Sequence, residues 1–315
     1  METPRERREG SGERRNVPRT ITPLSMPAIE SDTGLKFPLK QVELQRLVHS
    51  ALEEDQAFND ITTIATVVSD RRARATLVAR ATGTISGMPL ALESFRLLDP
   101  KVSIRVDRED GVHVRDGEPL AFVTGHARGV LAAERVALNF MQHMSGIATL
   151  TAKYVEAVAG TGAKILDTRK TTPGWRALEK YAVRCGGGTN HRFDLASAIL
   201  IKDNHLVECE GDVQLAVRRA RDLAAPGTKI EVECDRLEQV EAAIAAKADI
   251  VLLDNMSTDV LRQCVALVAG RATIEASGGV NLSTVRAIAE TGVDWISIGK
   301  LTHSAPALDL ALDFD

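Results

Sequence analysis

Six short apolar runs in the second half of the chain each close on polar residues: "AKILDTRK", "AILIKDNH", "KIEVECD", "DIVLLDN", "TIEASGG" and "DWISIGK". The later ones recur about every 20 residues, the spacing of repeated βα units. Segments of helical periodicity separate most of them, among them "DRLEQVEAAIAAKA", "STDVLRQCVALVAG" and "NLSTVRAIAETG". Strands that are apolar throughout and alternate with amphipathic helices indicate a parallel sheet covered by helices. The pattern fits a closed or nearly closed β/α barrel; an open doubly wound sheet is the alternative.

A barrel gathers the C-terminal ends of its strands at one mouth. In chain order those ends carry Arg169 and Lys170, then Lys202, Asp203 and Asn204, then Glu231 and Glu233. Asp254 and Asn255 follow, then Ser277-Gly278-Gly279 and Ser297-Ile298-Gly299. A single lysine at a strand end is more often plain surface solvation. Six successive strands ending this way are harder to dismiss. Cations and exposed backbone N–H groups suit phosphates and carboxylates. "SGGV" and "SIGK" fall where barrels often bind phosphate. Two carboxylates at the same mouth would repel such anions unless a divalent cation or a developing positive charge lies between them. The residues alone therefore predict a β/α-barrel enzyme for an anionic, phosphorylated substrate, compatible with Mg²⁺. They do not name the reaction.

The first half has another texture. "LKQVELQRLVHSALEED" places Val42, Leu44, Leu47, Val48 and Leu52 at helical spacing. From Ala73 to Val130, alternating or β-branched runs such as "KVSIRVD" and "GVHVRDGEPLAFVTG" are broken by Gly and Asp-Gly turns. One helical stretch, "MPLALESFRLLD", interrupts them, as in a small α+β domain. "GVLAAERVALNFMQHMSGIATLTAKYVEAVAGTG" then predicts a long helix to about Ala159. Order is expected to start near Phe37. Ahead of it, "METPRERREGSGERRNVPRT" mixes six arginines with four glutamates. It lacks the apolar centre of a signal peptide, and its acids speak against a mitochondrial transit peptide. Residues 1–35 are expected to form a disordered tail rather than an RNA-binding arm.

With 315 residues the chain can bury a large core in one or two domains. A formal net charge of −4 gives no reason to expect nucleic acid or an anionic membrane as a partner. No apolar run is long enough to span a bilayer. Cys185, Cys209, Cys234 and Cys264 are widely spaced and form no C-x-x-C pair, which indicates neither a zinc site nor a disulfide framework. Reduced cysteines in a cytoplasmic protein are the expectation.

One longer pattern is specific. "DTRKTTPGWRALEKYAVRCGGGTNHRFDL", followed by "ILIKDNH", "LLDN", "EASGG" and "GVDWISIGKLTHSAPALDLAL", closely resembles the quinolinate phosphoribosyltransferases, also called carboxylating nicotinate-nucleotide pyrophosphorylases. The resemblance runs from about Leu39 to the end of the chain and includes "NDITT" and "ERVALNFMQHMSGIATLT". It implies an α/β sandwich domain over residues 36–150 and an open, seven-stranded-type β/α barrel over 151–301, with residues from about 302 to 315 packing back on the first domain. It implies a homodimer with a shared active site, or a hexamer. The implied reaction joins quinolinate to phosphoribosyl pyrophosphate with Mg²⁺, giving nicotinate mononucleotide, pyrophosphate and carbon dioxide.

Carried over residue by residue, the resemblance makes Arg169 and Arg192 a clamp for the two carboxylates of quinolinate. A planar guanidinium can do this in bidentate fashion, and a lysine cannot. Arg135 matches an arginine supplied by the partner subunit. Thr168, Lys170, His191 and Lys202 match the rest of the substrate pocket. Lys170, Glu233 and Asp254 are the expected catalytic groups, and Glu233 and Asp254 are placed near the ribose and its metal, in direct contact or through water. Ser277, Gly278, Gly279, Ile298 and Gly299 match the phosphate-binding loops. Alone, Arg135 would read as a helix-surface ion pair and His191 as a structural histidine. Asn59 stands where the family has glycine, and Thr189 where it has valine; neither removes a charged site residue. Three competitors remain. A Schiff-base enzyme using Lys170 or Lys202 would need a desolvated lysine. A non-catalytic sensor of pyridine nucleotides would have no use for Glu233 and Asp254. A transferase acting on nicotinic acid would need fewer arginines.

Overall fold

The computed structural model describes residues 34–315; of the expected tail, only Gly34 and Leu35 fall among the described residues. The first helix, α1 (Gln41–Glu54), starts where the Glu43 carboxylate turns back to accept the Lys40 N–H at 2.9 Å. Leu44, Val48 and Leu52 recur every four residues and form its buried stripe. α2 (Ile61–Thr66) is capped by the Asp60 carboxylate. Then come β1 (Arg72–Ala79), β2 (Gly83–Thr84), α3 (Met88–Leu98), β3 (Ser103–Val106), β4 (His113–Val114) and β5 (Pro119–His126). The long helix α4 (Ala127–Ala157) follows as one uninterrupted element of 31 residues. Burial alternates along β5, as it must when one face of an antiparallel sheet meets a core and the other meets water. Leu77, Phe95, Leu120 and Met141 join the sheet to α3 and α4 in one apolar cluster.

The six apolar runs are six parallel strands. In chain order the second half contains β6 (Lys164–Leu166), α5 (Arg176–Cys185), β7 (Ile199–Ile201), α6 (Asp203–Val207), α7 (Val213–Leu223) and β8 (Ile230–Cys234). These lead into α8 (Leu237–Ala245), β9 (Ile250–Asp254), α9 (Thr258–Val268), β10 (Thr273–Ser277), α10 (Val285–Ala289) and β11 (Trp295–Ser297). The chain closes with α11 (Lys300–His303) and β12 (Leu310–Phe314). The strand order is β6-β11-β10-β9-β8-β7, an open barrel. On the free side of β6 the seventh position is held by one residue, Thr189, bridged to Leu166. Its N–H donates to Ile165 O at 2.8 Å, and its carbonyl accepts the Asp167 N–H at 3.2 Å. β12 returns to the first domain and pairs antiparallel with β1, Leu312 opposite Leu77, completing a sheet ordered β12-β1-β5-β3.

Register sets the site. Glu233 lies beside Leu252, Leu252 beside Glu275, and Asp254 beside Ser277. Side chains on a strand alternate in direction, so Glu231, Glu233, Asp254, Glu275 and Ser277 share one face. Val232, Val251, Leu253, Ile274 and Ala276 on the other face enter the apolar core under the helices. Asp110 ties the two domains together. It accepts the Gly87 and Met88 N–H groups at 3.0 Å each and the Tyr181 hydroxyl of α5 at 2.9 Å.

Candidate active site

The two arginine-bearing loops, after β6 and before β7, are joined by a buried polar cluster. Asp167 is 0% exposed and Lys180 is 3% exposed; Lys180 Nζ lies 2.5 Å from Asp167 Oδ1. Asp167 also accepts Asn190 Nδ2 at 2.6 Å and the His191 N–H at 2.8 Å. Lys180 donates as well to the His191 carbonyl at 3.1 Å, and Asn190 to the Lys180 carbonyl at 2.8 Å. Burial pushes the Asp167 carboxyl up and the Lys180 ammonium down, and their mutual attraction opposes both shifts. The cluster fixes Arg169, two residues beyond Asp167, relative to Arg192, two residues beyond Asn190. Losing one partner leaves a buried charge short of donors. Asn190→Ala is therefore expected to destabilise the protein by about 1.5–3 kcal/mol in urea unfolding; a change within experimental error would show that the loops are held some other way.

Arg169 and Arg192 are half-buried neighbours. Burial holds the Arg192 guanidinium below its usual range, and the charge of Arg169 adds to the effect. Arg192 donates to Ala198 O at 2.9 Å. Arg169 Nε is buried and has no hydrogen-bond partner among the described residues. Two cations side by side, one with an unused donor, are arranged for an anion. Beside them His191 Nε2 lies 3.1 Å from Glu231 Oε2 and 3.4 Å from Glu275 Oε2.

The other expected residues lie at the same strand ends. Thr168 accepts the Lys170 N–H at 3.0 Å, and Thr302 Oγ1 donates to the Lys170 carbonyl at 2.7 Å. A Cβ on Gly299 would fall 2.9 Å from Lys170 Cδ, so a side chain there would displace that lysine. Lys202 Nζ lies 3.4 Å from Glu233 Oε2. Burial raises the Glu233 carboxyl; Lys202 opposes the rise and the charge of Asp254 adds to it. Asp254 accepts Asn255 Nδ2 at 2.7 Å. Asn255 in turn packs against Gly278, where a Cβ would sit 2.2 Å from Asn255 Oδ1 and where φ is +88°. Only glycine meets both conditions. Gly279 beside it is exposed. Ile298 is buried in the core and its N–H is committed to Leu166 O at 2.9 Å, so it shapes the wall and offers no free donor. Arg135 stands apart. It is exposed on α4, in a groove lined by Asp55, Gln56, Asn59, Asp60 and Leu131.

Sequence reasoning gave no role to Asp167, Lys180, Asn190 or Glu275, and named Glu231 only as one of the polar groups at the mouth. For two of them a signal was present. Glu275 interrupts an otherwise apolar strand, and Lys180 sits between Leu178 and Tyr181 in an amphipathic helix, on the side that is buried.

Models of the quinolinate phosphoribosyl transferase N-terminal and C-terminal domains match residues 60–145 and 147–313. The chain is 47% identical over 274 residues to a carboxylating nicotinate-nucleotide pyrophosphorylase of Mycobacterium leprae, covering 84% of this chain and 95% of the relative. It is 41% identical over 275 residues to a probable enzyme of the same name from Bacillus subtilis, covering 87% and 94%. The solved nicotinate-nucleotide pyrophosphorylase of Francisella tularensis is 39% identical and superposes with a TM-score of 0.84, over 89% of this chain and 98% of that one.

Proposed function

Because the chain belongs to the quinolinate phosphoribosyl transferase family, we infer that it transfers phosphoribosyl from phosphoribosyl pyrophosphate to quinolinate, releasing pyrophosphate and carbon dioxide and leaving nicotinate mononucleotide, a step of NAD biosynthesis. One observation carries the assignment of the substrate end: the paired guanidiniums of Arg169 and Arg192, with the unused Arg169 Nε between loops locked by Asp167 and Lys180. A pyridine dicarboxylate presents two anionic groups on one rigid ring, and two fixed forks can hold both.

At the other end of the mouth lie Glu233, Asp254 and Lys202. When the C1–oxygen bond of the ribose breaks, positive charge develops on the sugar and negative charge on pyrophosphate. The carboxylates of Glu233 and Asp254 stabilise the first, and Lys170 and Lys202 the second. The clamp meanwhile keeps the pyridine nitrogen aimed at C1, so that the new bond forms as the old one breaks. Once the nitrogen carries the ribose it is cationic and stabilises the electron pair left on the adjacent ring carbon when that carbon's carboxylate departs as carbon dioxide, and the carbon then takes up a proton from water. The oxygen-rich donors of Glu233 and Asp254 suit Mg²⁺, and their mutual repulsion is what a cation would relieve. Glu233 and Asp254 would hold Mg²⁺ directly or through water, and the ion would help neutralise the departing pyrophosphate.

Arg135 completes the site in a symmetric dimer. Its groove on α4 is separate from the contacts of the mouth, and in a twofold assembly a residue missing from one barrel is supplied by the other subunit. Mixed Arg135→Ala and Lys202→Ala protomers are expected to form heterodimers with one intact site. Random mixing then restores about a quarter of wild-type activity from two inactive parents. Heterodimers as inactive as either parent would rule out sharing. No helix among the described residues is long and apolar enough to cross a membrane. All four cysteines are unpaired, which supports a reducing, cytoplasmic setting.

A further inference from the structure

Glu275 stands in the middle of β10 with 0% exposure, and neither of its carboxylate oxygens has a hydrogen-bond partner among the described residues. A buried acid so placed costs several kcal/mol unless an opposite charge compensates it. The nearest such group is the His191 ring, whose Nε2 is 3.4 Å from Glu275 Oε2 and 3.1 Å from Glu231 Oε2. A neutral imidazole brings no charge to offset two buried carboxylates, whereas an imidazolium does. A neutral imidazole would be adequately held by Glu231 alone, which leaves Glu275 unexplained. We propose that Glu275 is a positioning residue: together with Glu231 it keeps His191 as an imidazolium, making His191 a third fixed cation beside Arg169 and Arg192. The proposal rests on the reading of this pocket as a dicarboxylate site.

An imidazolium donates from both nitrogens. With Nε2 committed to the two acids, Nδ1–H remains as a donor for a substrate carboxylate. Burial alone would push the imidazole down, but the hydrogen bond to Glu231 and the nearby carboxylates of Glu231 and Glu275 carry it up to about 10. Burial also raises the Glu231 carboxyl and the charge of Glu275 adds to the rise, while His191 and Arg192 oppose it. Asp167 accepts its N–H, Lys180 donates to its carbonyl, and Arg192 follows it in the chain. The same three side chains could hold a metal ion. Ligation would require Nε2 to be free of its proton, which the two acids oppose.

Two measurements test this. The imidazole ¹⁵N resonances of the full chain, with His191→Gln used for assignment, should show His191 doubly protonated from about pH 6 to pH 9, and in Glu275→Gln its titration should move toward the ordinary value of about 6.5. Calorimetry with quinolinate should give an affinity nearly flat over that range in the wild type. In Glu275→Gln the affinity should approach the wild-type value at low pH and fall about ten- to a hundredfold as pH rises and the charge is lost. Glu275→Asp should recover part of the high-pH affinity. A neutral His191 at pH 7 in the wild type would overturn the proposal, and that result needs no variant to fold. It would also be overturned by a Glu275→Gln variant that loses affinity equally at every pH. Tight Zn²⁺ or Mn²⁺ binding by the wild type, lost in Glu275→Gln, would overturn it in favour of a metal site. If the wild type bound no quinolinate, the proposed function would fail, and the ¹⁵N titration would still decide the charge of His191.

Discussion

Replacing Glu233 with Gln, or Asp254 with Asn, is expected to lower kcat on the order of 10²–10³-fold, the usual loss when one preorganised group facing transition-state charge is removed. Both substitutions keep the shape of the side chain and delete only its charge. The effect should fall on turnover and on Mg²⁺ dependence if, as proposed, the cluster these acids form with Lys202 faces the ribose. Quinolinate affinity should change little. Near a bare dicarboxylate the two acids would be repulsive, so their presence makes sense only if a cation develops or binds between them. Near-normal kcat and Mg²⁺ response, with weakened quinolinate binding, would place these carboxylates on the wrong substrate.

The second large effect belongs to the clamp. Arg169→Ala and Arg192→Ala should each weaken quinolinate binding by about 2–4 kcal/mol, because a carboxylate would be left unpaired in a partly dry site. That is roughly 30- to 800-fold in dissociation constant. Stability should not suffer in the same way. The two guanidiniums repel each other, and Arg169 has a buried donor with no partner among the described residues. Removing either relieves their mutual repulsion. Unchanged affinity in both variants, by calorimetry, would sink the assignment.

The fold was largely legible because its signal is periodic. Each of "AKILDTRK", "AILIKDNH", "KIEVECD", "DIVLLDN", "TIEASGG" and "DWISIGK" became a strand, since apolar runs ending on polar residues leave few alternatives once helices flank them. The cationic and acidic residues at the strand ends were legible for the same reason: a parallel barrel puts all such ends on one side. What the residues could not tell was pairing across the chain. Nothing in "DTRK" announces that Asp167 faces Lys180 on the next helix, or that Asn190 bridges both. The pattern "TIEAS" marks a strand but not a partner for its acid; that Glu275 faces His191 follows only from the register. Ile298 shows the converse. It lies in a loop-like motif at a strand end, yet its side chain is core and its N–H serves the β6 ladder.

The most direct test is a single incubation of purified protein with phosphoribosyl pyrophosphate, Mg²⁺ and quinolinate labelled in the 2-carboxylate, with nicotinate as the competing acceptor. The account predicts labelled carbon dioxide and nicotinate mononucleotide in equal amounts, both dependent on phosphoribosyl pyrophosphate, with nicotinate a poor acceptor because it leaves one arginine unpaired. Nicotinate mononucleotide formed readily from nicotinate, with no labelled carbon dioxide from quinolinate, would contradict it.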